Sequence, residues 1–160
     1  MAFVSALLVA MPLTSWAATE NSMRIKATYV VSPMPEPACN GVRVTGSGPA
    51  VIRVYGWQPE SFKGTYSERD CGDVVAKPGA ITLREGRMQV VTKHGVIRAA
   101  YEGQSGLPDS GLDLHFKGTF TVTGGTGRFA GTRGEGIFIA DSNMLSGDTK
   151  TIFQGTLRTP

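Results

Sequence analysis

The residues with the most evident capacity for chemistry lie in a glycine-rich stretch, TVTGGTGRFAGTRGEGIFI, at residues 121–139. Several of its glycines have the spacing of a loop that cradles the phosphates of a dinucleotide. Such a loop must open a helix whose N-terminus faces the pyrophosphate. Here glycines recur at 131, 134 and 136, and each costs a helix interior roughly 1 kcal/mol relative to alanine. Because no stable helix begins there and no Gly-Lys-Ser/Thr follows, the sequence argues against nucleotide binding.

The same stretch is better interpreted as a connection between two antiparallel strands. Gly124, Gly125 and Gly127 supply the backbone angles that such a turn needs, and Phe129 can fold back to cover an end of the core. An additional hypothesis is that successive amides of the turn form a small anion nest beside the two arginines of the stretch.

Residues that usually carry catalysis are sparse. His94 falls in a predicted hairpin turn with Gly95, and His115 is out of phase with the apolar face of its strand, so both are predicted to be solvated. The GxSxG and HExxH motifs are absent, and no cluster of carboxylates has the pattern of a metal or glycosidase site. The sequence therefore assigns no catalytic residue, no metal site and no cofactor.

Three tyrosines and one glutamate form the candidate ligand-binding site. Strand alternation places Tyr29, Tyr66 and Tyr101 on the interior face, with Glu68 one step beyond Tyr66 near a barrel mouth. Phenols can orient a ligand or polarise a carbonyl, and a partly desolvated Glu68 can act as a base. The alternative is that the tyrosines fill a solid core with their hydroxyl groups at its rim.

The elements that must position these residues are all predicted to be strands. Alternation with period two recurs along the chain, and helical periodicity is almost absent. The predicted strands are MRIKATYVV, AVIRVYGW, SFKGTYSE, AITLRE, RMQVVTK, VIRAAYEG, LDLHFKGTFTVT, EGIFIAD and KTIFQGTL, with PMPEPACNG as a loop. Their more apolar face includes Ile25, Tyr29, Phe62, Tyr66, Met88, Val90, Ile97, Tyr101, Phe116 and Phe120.

A Phe-x-Gly-Thr pattern recurs with its glycine at Gly64, Gly118, Gly131 and Gly155. In three of the four copies, Phe and Gly point to the same face of a strand. The missing side chain lets the sheet bend sharply or lets a neighbouring ring lie across the gap. Inward glycines favour a closed barrel over a flat sandwich, and closure removes exposed edges. We therefore predict an all-β fold, a single antiparallel barrel of about eight strands.

The N-terminus is predicted to be a signal peptide, residues 1–17, preceding a barrel domain at residues 18–160. The segment is apolar and uncharged, and Ser15 and Ala17 occupy the positions that a signal peptidase inspects. No Lys or Arg precedes the apolar run, which a start codon further upstream would explain; an uncleaved anchor helix is the alternative. No later segment is apolar enough to span a bilayer, so we expect a secreted or periplasmic protein with no membrane association after cleavage.

The cysteines, Cys39 and Cys71, lie in the turn-rich sequences ACNG and RDCGD. In an oxidising compartment such a pair is most simply one disulfide, which stabilises the fold by roughly 3–4 kcal/mol. Metal binding is the alternative, but it requires further ligands nearby, and the only histidines are His94 and His115.

The charge pattern argues against nucleic acid as a partner. The formal net charge is +3, but the basic residues are scattered among acids. They form no run or face, and no RNA-binding aromatic motif accompanies them.

The segment FTVTGGTGRFAGTRGEGIFI resembles the allene oxide cyclase and dirigent barrel superfamily. Those proteins carry a similar strand, a Gly-Gly-Thr-Gly-x-Phe turn and a second glycine-rich strand, and small exported bacterial proteins also look like this. The match covers roughly the last third of the chain. The resemblance implies an eight-stranded antiparallel barrel with an apolar lumen and a structural turn. Some members cyclise or steer a reactive apolar substrate, but the upstream strands do not align, so no catalytic residue is carried over.

Three functional hypotheses follow. The first is a secreted binding or structural barrel that holds an apolar small molecule. The second is a cofactor-free isomerase or cyclase in which proximity supplies most of the rate. The third is an interaction module that acts through its outer face as a dimer or trimer. A hollow lumen with a polar group at its end favours the first two, whereas a filled lumen with an exposed apolar patch favours the third.

Overall fold

A computed structural model describes residues 19–39, 41–56, 58–74, 80–106 and 112–160. The predicted signal peptide, residues 1–17, lies outside these ranges. Eight strands follow one another: β1 (Thr19–Glu36), β2 (Gly41–Tyr55), β3 (Glu60–Val74), β4 (Ile81–Thr92), β5 (Gly95–Ser105), β6 (Asp113–Gly125), β7 (Gly134–Asn143) and β8 (Asp148–Thr159). Short 3₁₀ turns occupy Pro37–Cys39 and Gly127–Phe129. No helix in the described ranges is both long and apolar enough to cross a membrane.

The strands form one closed antiparallel barrel in sequence order, which confirms the predicted fold class. Closure is made by β1 and β8, which pair from Thr19 opposite Thr159 to Val30 opposite Asp148. Beyond Val30, β1 continues to Glu36 with only β2 beside it. The prediction of a loop at PMPEPACNG is therefore wrong for its first residues. A strand that pairs on one side has backbone groups on its other side that need no strand partner. Prolines are therefore tolerated in this part of β1.

The predicted strands AITLRE and RMQVVTK form one strand, β4, interrupted by a β-bulge. The register between β4 and β5 shifts between Leu83 and Gly86, and the register between β3 and β4 shifts between Arg69 and Cys71. Glu85 adopts a φ of 55° at the bulge. The Glu-Gly pair thus interrupts the alternation as a turn would, but it bends the strand and does not end it.

Inward glycines accommodate aromatic rings from neighbouring strands. The ring of Phe138 lies over Gly103 and Gly118, and a Cβ atom at Gly103 would lie 2.8 Å from its Cζ atom. A Cβ atom at Gly136 would lie 2.8 Å from Cε1 of Phe120. Rings over glycines let large side chains fill a narrow barrel without pushing the strands apart.

The core lies inside the barrel and uses the predicted faces of the strands. Every residue predicted on the apolar face belongs to one buried cluster: Ile25, Tyr29, Phe62, Tyr66, Met88, Val90, Ile97, Tyr101, Phe116 and Phe120. The strand phases deduced from alternation are therefore correct.

The predicted disulfide is also present, with the Cα atoms of Cys39 and Cys71 5.3 Å apart. It ties the turn after β1 to β3 and replaces the metal-binding alternative.

The space that Gly118 leaves for the ring of Phe138 leads to a stability prediction. A methyl group at Gly118 would collide with the carbonyl oxygen of Glu102 and with the Phe138 ring. We expect Gly118→Ala to lower the free energy of unfolding by about 2–3 kcal/mol in urea titrations. The matched control is Gly106→Ala, because a Cβ atom there meets nothing within 4 Å. Equal stability of the two variants would contradict the steric role of Gly118.

Candidate functional site

The barrel contains a cavity of about 380 Å³ at one end. This is the end at which β1, β3, β5 and β7 finish and the other strands begin. Its wall is mainly apolar and includes Val31, Leu83, Leu114, Phe116, Phe138 and Phe153. At the mouth, the turn between β7 and β8 presents Met144 and Leu145, which are 49% and 82% exposed. The volume and the mainly apolar lining fall within the range that is typical of small-molecule pockets.

The opposite end of the barrel is closed by the glycine-rich turn. Gly124 and Gly127 have φ values of 141° and 58°, which favour glycine. A Cβ atom at Gly125 would lie 2.6 Å from the carbonyl oxygen of Phe129. The turn places Phe129, which is 1% exposed, with its ring 5.2 Å from that of Phe62. This contact seals the filled end of the barrel.

The arginines of this turn are engaged by protein acceptors. Arg128 donates to the carboxylate of Glu60 at 2.7 Å. Arg133 donates to the carbonyl oxygens of Thr123 at 3.3 Å and Thr132 at 2.9 Å. These contacts engage one nitrogen of each guanidinium group, and the anion-nest hypothesis stays a prediction.

The histidines are exposed and lie away from the cavity. The hairpin between β4 and β5 turns at Lys93 and His94, one residue earlier than predicted, and the His94 ring packs 5.5 Å from that of Phe62. His115 points outward from β6, with its Nδ1 atom 2.7 Å from Asp141. In the part of the chain that the structure describes, no group of three or more His, Cys, Asp or Glu residues could hold a metal ion.

The predicted tyrosine and glutamate residues converge on the floor of the cavity. The hydroxyl groups of Tyr29, Tyr66 and Tyr101 lie 2.9, 2.5 and 3.1 Å from the same Glu68 oxygen, Oε2. The Tyr101 hydroxyl also lies 2.6 Å from Oδ2 of Asp70, a residue that the sequence prediction missed. Tyr29, Glu68, Asp70 and Tyr101 line the cavity, whereas Tyr66 is fully buried beneath it. Glu68 thus lies at the cavity floor and not at a barrel mouth.

Glycines on neighbouring strands make room for this cluster. Strand register places Glu68 opposite Gly46 and Tyr101 opposite Gly86. A Cβ atom at Gly46 would lie 2.5 Å from the ring of Tyr29, and one at Gly86 would lie 2.7 Å from the ring of Tyr101. The rings of Tyr29 and Tyr101 therefore pack against Gly46 and Gly86, and their hydroxyl groups reach the acids.

The contacts between phenols and carboxyl groups in this cluster outnumber the hydrogens that the phenols can donate. Four oxygen–oxygen contacts of 3.1 Å or less join three phenols to two carboxyl groups. Each phenol carries one hydrogen, so Tyr101 cannot donate a full hydrogen bond to both Glu68 and Asp70. A proton on one carboxyl group supplies the missing hydrogen. The geometry thus favours a shared carboxyl proton near neutral pH.

Burial raises the pKa of both acids. The pKa of Glu68 rises to about 7, mainly because its carboxylate is desolvated; the hydrogen bond from Tyr66 acts in the opposite direction, and the charge of Asp70 adds to the rise. Desolvation also raises the pKa of Asp70 to about 6, against the lowering effects of the Tyr101 hydrogen bond and of Arg43. Burial first, and then the charge of Glu68, raise the pKa values of Tyr29, Tyr66 and Tyr101 well above the ordinary value, so the phenols remain neutral donors.

Asp70 could in principle have been found by the alternation that located Glu68. It lies two residues further along β3 on the same face, and it is 2% exposed. The flanking sequence RDCGD indicated a turn, because cysteine, glycine and aspartate are typical of turns. The structure instead continues the strand to Val74.

The fold and the site together define a class of protein: a closed antiparallel barrel with an apolar cavity at one end and two acids, Glu68 and Asp70, on its floor. No protein-family model matches the chain, and no curated protein matches its sequence significantly.

The raised pKa of Glu68 leads to a prediction about stability and pH. Between its ordinary pKa of 4.5 and about 7, the folded protein holds a proton that the unfolded chain has released. Stability must therefore fall as the pH rises through this window. Relative to Glu68→Gln, we expect the wild-type free energy of unfolding to fall by about 2–3 kcal/mol between pH 5 and pH 8.

The measurement is urea unfolding of both proteins across this pH range. Glu102→Gln is the matched control, because it removes the same charge from an exposed outward position on β5. It should retain the wild-type dependence on pH. An unchanged dependence in Glu68→Gln would show that Glu68 does not titrate in this window.

Proposed function

We propose that the chain is an exported barrel of the allene oxide cyclase-like type, which binds a small apolar molecule in its lumen without a cofactor. The observation that carries this proposal is the contrast between the two ends of the lumen. One end is sealed by Phe129, whereas the other holds a cavity of about 380 Å³. The antiparallel eight-stranded barrel agrees with the architecture that the resemblance implies, and the Cys39–Cys71 disulfide agrees with export to a secreted or periplasmic location.

The chemistry of the cavity wall supports an apolar ligand. Protein interiors are close-packed, and a volume of this size far exceeds the voids that ordinary packing leaves. The wall offers few polar partners above the floor, so water there forms fewer hydrogen bonds than in bulk. An apolar molecule that displaces this water gains about 25 cal/mol per Å² of buried apolar surface. The exposed side chains of Met144 and Leu145 give the mouth the same character.

Binding can be tested with the apolar fluorescent probe N-phenyl-1-naphthylamine. Ala140 points into the cavity and is 7% exposed, so Ala140→Phe places a ring in the binding volume. We expect this change to weaken probe binding at least ~10-fold, which corresponds to the loss of about 1.4 kcal/mol. The matched control is Ala100→Phe, because Ala100 lies on the outer face of β5.

The control variant should bind the probe as the wild type does. Absence of binding by the wild type, or equal weakening in both variants, would contradict a ligand site in the lumen. Circular dichroism melting curves establish that each variant is folded before its affinity is compared.

A second candidate function is a cofactor-free isomerase or cyclase with Glu68 as general base. The specific observation is that the Glu68 carboxyl group, with a pKa of about 7, lines the same cavity as the hydroxyl groups of Tyr29 and Tyr101. A base is most effective when its pKa lies near the working pH. Neutral phenols beside it can donate to negative charge that develops on a substrate oxygen.

Proton abstraction can be tested with 5-nitrobenzisoxazole. The carboxylate takes the C3 proton while the N–O bond breaks, which yields a nitrile and a phenolate that absorbs visible light. We expect a rate that rises with pH through about 7, as Glu68 ionises, and that falls ~100-fold or more in Glu68→Gln. Glu102→Gln should retain the wild-type rate. Activity that survives in Glu68→Gln would exclude Glu68 as the base and leave the binding function standing.

A further inference from the structure

The charge of the cavity floor is opposite in sign to the charge of the chain. The formal net charge is +3, yet Glu68 and Asp70 are the charged residues among the described residues that line the cavity. No Lys, Arg or His belongs to that described lining. The wall therefore provides apolar surface and two acids, with no cation that could receive an anionic ligand.

One carboxyl oxygen of Asp70 has no hydrogen-bond partner among the described residues. Oδ2 of Asp70 receives the Tyr101 hydroxyl, but Oδ1 is buried and makes no hydrogen bond with any described residue. Asp70 is 2% exposed, so bulk water does not compensate. A buried acceptor that lacks a donor destabilises the folded protein, and a ligand that supplies a donor removes this penalty.

Among the described residues that line the cavity, no cationic side chain acts as a counter-ion. Arg43 on β2 lowers the pKa of Asp70, but its guanidinium group is bonded to Glu36, 2.6 Å away. The groups that face the two acids from inside are the phenols of Tyr29 on β1, Tyr66 on β3 and Tyr101 on β5. Phenols donate hydrogen bonds but carry no positive charge at neutral pH.

We propose that the ligand is an amphiphilic amine, whose protonated amino group binds between Glu68 and Asp70 while its apolar body fills the cavity. This inference rests on the proposed binding function and adds the chemistry of the head group. An ammonium group has three hydrogens, so it can donate to the carboxyl groups of Glu68 and Asp70 together.

The surroundings of the acids also suit a cation. The rings of Tyr29, Tyr101 and Phe153 line the same part of the cavity, and aromatic faces attract cations most strongly where water is excluded. A carboxylate head group would add a further negative charge to a desolvated site that already holds two acids. A hydroxyl head group could donate one hydrogen bond to the acids but would leave their negative charge unbalanced.

The test compares three probes with the same eight-carbon chain: n-octylammonium, n-octanol and n-octanoate. Each is titrated into the full chain at pH 7.5 by calorimetry. We expect octylammonium to bind ~10- to 100-fold more tightly than octanol, the range for a hydrogen bond to a charged group, and octanoate to bind more weakly than both. The common chain isolates the contribution of the head group.

The variants assign the preference to the two acids. In Glu68→Gln/Asp70→Asn, octylammonium and octanol should bind within about threefold of each other, because the site then holds no charge. Glu102→Gln removes a charge from the outer face and should retain the preference. If the double variant fails to fold, Asp70→Asn alone keeps the phenol contacts to Glu68 and must still lower the preference at least threefold.

The outcomes separate this inference from the binding function on which it rests. Equal binding of octanol and octylammonium by the wild type would overturn the amine proposal and leave an apolar ligand site. Failure of all three probes to bind would overturn both. A preference that persists in the folded double variant would place the amine outside the lumen and overturn the amine proposal.

Discussion

The pairing of β8 with β1 is the interaction on which the other features of the barrel depend. It directs one face of every strand into a single lumen, and the interior of an eight-stranded barrel has room for its own side chains and at most one small ligand. Where two large groups would meet, one strand must lack a Cβ atom. Gly118 beneath Phe138 and Gly86 beneath Tyr101 meet this requirement. These two inward glycines are thus a consequence of closure in a narrow barrel.

The narrow lumen of the closed barrel has a filled half and a hollow half. At the filled end, Phe129 folds inward from the glycine-rich turn and packs against Phe62. Towards the other end, Phe153 contacts the rings of Tyr101 and Phe138 at 5.9 and 5.4 Å, and the cavity begins there. The acids lie at this boundary. They are deep enough to be desolvated and yet remain accessible to a molecule that enters from the open end.

Much of this arrangement could be predicted from the sequence because it depends on local periodicity. Alternation along single strands gave the interior positions of Tyr29, Tyr66 and Tyr101, and the inward glycines indicated closure. The rest depends on register between distant strands. That one Glu68 oxygen meets three phenols from β1, β3 and β5 follows from pairings that no local pattern encodes.

Two local sequence patterns led to wrong predictions, and each has a physical explanation. Glu85 and Gly86 interrupt the alternation of β4 because a bulge inserts an extra residue, which resembles a turn in sequence. Asp70 lies beside a cysteine and near a glycine, a composition typical of turns, although it occupies the interior face of β3. In both places, pairing with the neighbouring strand overrides the local preference of the residues.

The two acids of the lumen differ from the acid that serves a structural role elsewhere in the chain. Glu36 binds Arg43 through two hydrogen bonds, of 2.6 and 3.2 Å, and its pKa is lowered by them. That arrangement stabilises a charge by pairing it with an opposite charge. Among the described residues, the hydrogen bonds that Glu68 receives come from neutral phenols, and Oδ1 of Asp70 has no donor. A core built for stability alone would replace such groups by apolar ones at no loss. Their retention beside an open cavity is understandable if the missing donor and the missing positive charge arrive with a ligand.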